Sequence, residues 1–528
     1  MSLGRSPAQA DAFRSTRAFC ELRLSPTSVY RLLHDEGHRL FPDDMFADLF
    51  TSRGRNSVVA IVTVLQRVEG LSDREAVDRF EFDVRWKYAA GGLDFEYAGF
   101  VHTVLVDMRA RLRQSERPDR IFEAVLDVAR SAGLVGRKRV LDSTALYDAV
   151  ATQDTVTMIR SSIRGLLRVA DEMLAAELRG ALKRDDDYAS AGKPACDWDD
   201  KAAREALVDA LARDAHAVLR VLHDREVSSE VKHAATLVAT VVGQDLEEGQ
   251  DGVFRIAIRV APDRVISTVD PEARHGHKTS ARGFDGYKGH IAIDPDSEII
   301  TSTAVTAANE SDGSLAKELL EDVLPSETKS TDASSETKST DGTAPAVATG
   351  PVEVYGDASY GTGEILEHLD GRATPHVKVQ PASAPAGQFS KDEFKIDLEQ
   401  NTVRCPADVL VQIRPIGNAR LAEFGSNCTR CHLRDQCTKS KKGRVIRLNK
   451  HERHLQRERA RQKDPAWQAN YKATRPKVER KQAHMMRRRH GGRRARMRGR
   501  LRIAHDFTML AAATNLQRLA VLRQRWRP

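Results

Sequence analysis

Apolar residues recur at helical spacing toward both ends of the chain and alternate along short stretches between them. Residues 41–132 read as helices. Ser72-Asp73-Arg74-Glu75 has the form of a capping box, and Ala76, Val77 and Phe80 follow it at helical spacing. Ile121, Val125 and Val128 repeat the pattern, while residues 1–40 read as a flexible lead-in. A short strand is predicted over 139–144. Residues 152–245 return to the helical period, with Leu207, Leu211, Val218 and Leu222 on one face. A polar break over 185–200, holding Gly192 and Pro194, divides that block. Strands are predicted over 254–260, 290–294 and 298–305, the last two joined by a turn at Asp294-Pro295-Asp296-Ser297. Another covers 352–356, and a helix starts at Ile365. In residues 325–350 the heptapeptide SETKSTD occurs twice with little to bury, so a disordered low-complexity loop is expected. Residues 450–525 are helical and basic and end in an apolar helix over 507–522. The alternation predicts a mixed α/β fold.

At 528 residues the chain exceeds what one core normally serves, so several domains are expected. No window approaches eighteen uncharged apolar residues, and the first twenty residues lack the apolar core of a secretory signal. Neither a membrane span nor export is expected. Six cysteines are too few for a disulfide scaffold, and in a reducing compartment clustered cysteines read as metal ligands. Cys405, Cys428, Cys431 and Cys437 cluster in the loop-rich patch 400–440. Cys428-x-x-Cys431 is a zinc half-site that Cys405 and Cys437 would complete, against the plainer reading of small buried hydrophobes.

Net charge is only +8, from 83 Lys and Arg against 75 Asp and Glu. Its distribution matters more. Residues 480–502 hold eleven Lys or Arg and no acid, which makes a polyanion the natural partner. Arg475, Arg480, Lys481, Arg487, Arg488, Arg489, Arg493, Arg494, Arg496, Arg498 and Arg500 are the expected DNA contacts.

Three acids stand out. Asp142 and Asp357 sit at or near the ends of predicted strands, and Glu479 follows Arg475 by four residues on one helix face. Converging carboxylates raise one another's pKa unless cations lie between them. Two divalent ions about 3.5–4 Å apart serve phosphodiester chemistry, and an acidic centre beside arginines suits a nucleic-acid strand.

Four stretches carry a resemblance: residues 54–92; Val140-Leu141-Asp142-Ser143-Thr144; residues 270–274 and 286–294, continuing to 307–312; and Gly356-Asp357-Ala358-Ser359-Tyr360-Gly361. Together they resemble a bacterial insertion-sequence DDE transposase, over most of residues 40–525. The resemblance implies an RNase H-like catalytic core over 137–525 with a helical insertion at 152–245. It also implies an all-helical N-terminal DNA-end-binding domain at 41–132. Asp142, Asp357 and Glu479 become the catalytic and metal-binding triad, holding two Mg2+ or Mn2+ ions. The implied activity is strand cleavage at transposon ends and strand transfer into target DNA. The implied partners are terminal inverted repeats, target DNA and at least one further copy of the chain, acting at the nucleoid in the cytoplasm. Two departures stand: Tyr471 lies one residue further from Arg475 than the family pattern has it, and Met486 occupies the position of its lysine. Glu452 and Glu458 are alternative third acids. Two other readings stay open, a catalytically inactive transposase-derived DNA-binding protein and a metal-dependent nuclease without strand transfer.

Overall fold

The computed structural model describes residues 15–50, 56–149, 151–186, 188–279, 281–324, 350–417 and 419–523. All but the last residue of the low-complexity stretch lies outside them, as do residues 1–14. Among the described residues no helix is long and apolar enough to cross a membrane.

Seven α-helices open the chain: Thr16–Glu21, Val29–Leu40, Asn56–Glu69, Asp73–Phe82, Val84–Ala89, Thr103–Gln114 and Arg120–Ser131. The first two replace the expected lead-in. Val29, Leu32, Leu33 and Leu40 fall on one face of the second, and the Ser28 hydroxyl caps it by accepting from the Tyr30 amide. At Ser72 the capping box forms with both of its hydrogen bonds.

The strands, in chain order, begin with β1 (Lys138–Tyr147). Four helices follow it, Thr155–Val169, Glu172–Ala181, Lys201–Val221 and Ser229–Asp245, and enclose their own core around Ile159, Leu166, Leu211 and Val238. Then come β2 (Leu246–Glu248) and β3 (Phe254–Ile256), which pair only with each other. The strand expected to reach residue 260 stops at Ile256; Ile258 and Val260 are exposed and cross no partner strand.

Next are β4 (Arg274–Thr279), β5 (Arg282–Ile293), β6 (Ile300–Ala307), β7 (Glu353–Gly356) and β8 (Thr374–Val377). The central sheet runs β6, β5, β1, β7, β8, with β4 on the outer end of β5. β5 is antiparallel to β1 and β6, whereas β7 and β8 run parallel to β1. The parallel step from β7 to β8 is made through the helix Gly363–Leu369. The turn between β5 and β6 closes where the sequence marks it: the Asp294 amide donates to the Ile299 carbonyl at 2.9 Å.

A second, antiparallel meander follows: β9 (Lys395–Asp397), β10 (Thr402–Arg404), β11 (Leu410–Ile416), β12 (Ala419–Glu423) and β13 (Val445–Leu448). The chain then forms the helices Glu452–Arg461, Pro465–Thr474, Pro476–Met485 and Arg500–Leu522.

That last helix changes the domain picture. It is buried along most of its length and packs on β6 on one side and on the helices Asn56–Glu69 and Arg120–Ser131 on the other. Leu32, Val62, Ile291 and Leu516 therefore belong to one core. Residues 41–132 were expected as a domain of their own, but they close no separate core; a helix apolar all round must be covered on every face. Asn515 locks it to the sheet, accepting from the Ile300 amide and donating to its carbonyl, each at 2.8 Å.

Candidate active site

Strand register decides where the first two acids meet. In the parallel pair β1–β7, Val140 stands opposite Tyr355. Two residues further along lie Asp142, midway along β1 rather than at the strand end expected of it, and Asp357, just past the end of β7. The two stand level on neighbouring strands, about 4.8 Å apart, and form the acidic edge of the site. Asp142 is buried. Desolvation, with the Asp357 carboxylate adding to it, pushes its pKa up to about 6 against the pull of Arg475. Asp357 is half-buried and its Oδ1 accepts from the Ser359 amide at 2.9 Å, which shapes the turn after β7.

The helix Pro465–Thr474 docks across this edge. Asp464 caps it and Pro465 starts it. Trp467 stacks on Tyr471 with centroids 5.0 Å apart, and the Tyr471 hydroxyl donates to the Gly356 carbonyl at 3.2 Å. Pro476 then begins a new helix, leaving Arg475 at the junction with its guanidinium toward β1. One arm donates to Asp142 Oδ1 at 2.7 Å and another stands 3.4 Å from Glu479 Oε1. Burial alone would lower the Arg475 pKa; Asp142, Tyr471, Asp357 and Glu479 outweigh it and raise it. Glu479 itself is 63% exposed at the rim. Arg475 thus sits among all three expected acids, where a DNA-phosphate contact was expected of it.

Two further groups, given no role from sequence, face the same edge. Asp312 accepts from Ser143 Oγ at 2.6 Å and from Lys288 Nζ at 2.8 Å. Tyr360 has a buried hydroxyl with no hydrogen-bond partner among the described residues, and its pKa is raised by burial first and then by Asp312, Asp142 and Asp357. Tyr360 and Asp312 lie inside stretches that carry the resemblance, but no periodicity or spacing marks them. The alternative acids Glu452 and Glu458 are buried and held elsewhere. Glu452 pairs with Lys391 and Arg459, and Glu458 with Arg457 and Arg461.

Among the described residues no three His, Cys, Asp or Glu side chains stand together as a ready-made metal cage. The donor chemistry nevertheless suits a hard divalent ion, which binds through one or two carboxylates and completes its shell with water and phosphate oxygens. Asp142 and Asp357 are such a pair. A carboxylate pushed up toward neutrality and an orphaned hydroxyl beside it mark a place short of positive charge and of a hydrogen-bond acceptor.

The basic segment, expected to be helical, is so only in part. After Met485 it makes a single 3-10 turn, Arg488–His490, passes through a left-handed Gly491 and then runs irregularly to Gly499. His490 Nδ1 meets the Val68 carbonyl at 2.7 Å, Arg496 donates to the Leu71 carbonyl, and the Ala495 amide donates to Tyr147 at 2.8 Å. These bonds clamp the segment between the N-terminal helices and β1. Arg487, Arg488, Arg489, Arg493, Arg494, Arg498 and Arg500 remain exposed, Arg480 is exposed but pairs with Glu298, and Arg496 is half-buried. Lys481 differs from expectation by being buried, and desolvation pushes its pKa down to about 8 despite Glu298. The sign of the consequence is set: unfolding takes up a proton above pH 8, so stability rises from there toward the ordinary lysine pKa. Lys481→Met is expected to stabilise the chain by about 1–3 kcal/mol near neutrality and to flatten that rise in urea denaturation between pH 7 and 10. A less stable variant would mean that the ammonium is well satisfied.

Cys405, Cys428, Cys431 and Cys437 line one small cavity beside Phe389, Phe394 and Phe424. Cys20 and Cys196 are also free thiols.

Residues 409–520 match a family model described as a transposase DDE domain. The matched span contains Arg475, Glu479 and the basic segment, but neither Asp142 nor Asp357. No curated protein and no solved structure matches the chain. The family match supports a DDE transposase.

Proposed function

We propose that the chain is a DNA transposase of the DDE type, cleaving transposon ends and joining them to target DNA on an RNase H-like core. One observation carries the reading: β1 and β7 bring Asp142 and Asp357 to the same sheet edge, under the helix pair that presents Arg475 and Glu479. The sheet order, three antiparallel strands followed by two parallel ones, supports that reading.

Asp142 and Asp357 would hold the divalent ions, with Glu479 at the rim; when bound, Mg2+ or Mn2+ polarises the scissile phosphate and activates the attacking oxygen. The protein's own groups do the rest. Arg475 neutralises Asp142 in the free chain and lies close enough to Glu479 to exchange partners when the site is charged. Lys288 and Ser143 fix Asp312 beside the acids. The exposed arginines from Arg487 to Arg500 hold the flanking phosphates and set position without reading bases. Two copies of the chain would pair two transposon ends.

An end-labelled donor fragment incubated with a supercoiled target and Mg2+ tests this. Joined donor–target products are expected. Nicks at the ends without joining would favour a nuclease, and binding without any cleavage a regulatory DNA-binding protein.

A further inference from the structure

The β9–β13 meander stands apart from the acidic edge, and its own core is thin. It consists of Phe394, Val403, Ile413, Ala422, Phe424, Ile446 and Leu448, together with the side chains of Cys428 and Cys437. So few apolar groups rarely hold a unit of this size without a cross-link or a metal. We propose that Cys405, Cys428, Cys431 and Cys437 bind one Zn2+ ion as four thiolates and that this ion pins the meander.

The local backbone presents the four sulfurs from two turns and one short helix. Cys405 lies in the connection from β10 to β11; its amide donates to the Val409 carbonyl and its carbonyl accepts from the Asp408 amide, each at 2.9 Å. Cys428 ends a 3-10 turn, and three residues on the Cys431 amide points back to the Cys428 carbonyl at 3.5 Å. Cys437 ends the short helix Arg434–Cys437. The Arg444 amide donates to Cys428 Sγ at 3.4 Å. All four side chains face one cavity of about 20 Å3, room for little more than a single ion or water.

Charge points the same way. Four thiolates around Zn2+ leave a net charge of about −2. Two arginines line the same cavity: Arg434 donates to the Cys428 carbonyl and Arg444 to the Cys437 carbonyl, each at 3.2 Å, so both are held beside the sulfurs. All four cysteines are free thiols rather than disulfides. Among the described residues the four do not stand together as a ready-made metal cage; Cys405 and Cys431 are only partly buried, and binding requires the set to draw together around the ion.

The test uses the full chain and no DNA. Protein produced with zinc in the medium and dialysed without chelator is expected to carry about one zinc per chain by elemental mass spectrometry. Cys428→Ser combined with Cys431→Ser should bring this close to zero, while Cys20→Ser combined with Cys196→Ser should leave it unchanged. Cobalt added to the stripped wild-type chain should give the thiolate-to-metal charge-transfer absorption of a tetrahedral sulfur site, a readout that stands even where the serine variant fails to fold. Wild-type chain without zinc and without that absorption overturns the proposal, as does zinc retained by the Cys428/Cys431 variant. Either failure leaves the reading of the acidic edge intact, since neither readout involves cleavage.

Discussion

Asp142→Asn and Asp357→Asn are each expected to lower strand cleavage by roughly 10²–10³ or more while specific end binding stays within about twofold of wild type. Asparagine keeps the shape at both positions. At Asp357 its side-chain oxygen can still accept from the Ser359 amide, and at Asp142 it can still accept from Arg475. Only the formal charge, and with it the hold on a divalent ion, is lost. The measurement is a gel assay of end nicking, run beside a binding titration of the same labelled DNA. Loss of binding together with cleavage would mean that the acids support the fold rather than the chemistry. Wild-type protein that still nicks after exhaustive EDTA treatment would remove metals from the account altogether.

Arg487, Arg488, Arg489 and Arg493 changed together to glutamine should flatten the salt dependence of DNA binding. Each phosphate contact contributes about 0.9 to the slope of log K against log salt, so four contacts reduce it by roughly 3–4. These four are exposed and stand outside the clamp that Arg496 and His490 make with the N-terminal helices, so stability should change little. The slope is read from fluorescence anisotropy across a salt series. An unchanged slope would move the DNA path elsewhere on the molecule. Arg496 is deliberately left out, because its bond to the Leu71 carbonyl ties it to the fold.

Much of the local structure is legible in the order of residues. The capping box at Ser72, the turn at Asp294, the strands that lead to Asp142 and Asp357, and the helices within residues 152–245 all follow from short-range periodicity and turn chemistry, which neighbouring residues settle among themselves. The helix Val29–Leu40 was legible too: Val29, Leu32, Leu33 and Leu40 recur at helical spacing behind a capping serine. Asp312 and Tyr360 carry no such mark, because what gives them meaning is the group across from them and not their neighbours in the chain.

The tertiary structure decided everything that depends on which distant segments touch. Asp142 and Asp357 share an edge because β1 and β7 pair in parallel with Val140 opposite Tyr355, a register set by packing over a separation of more than two hundred residues. Arg475 belongs to the acids and Lys481 to the interior because two helices break at Pro476 and fold back on the sheet. The N-terminal helices join the central sheet because the helix Arg500–Leu522 is buried along most of its length and packs on both. Composition alone makes that segment basic and helical at once. Burial, which depends on the whole chain, sorts its charges into those that hold the fold and those left exposed.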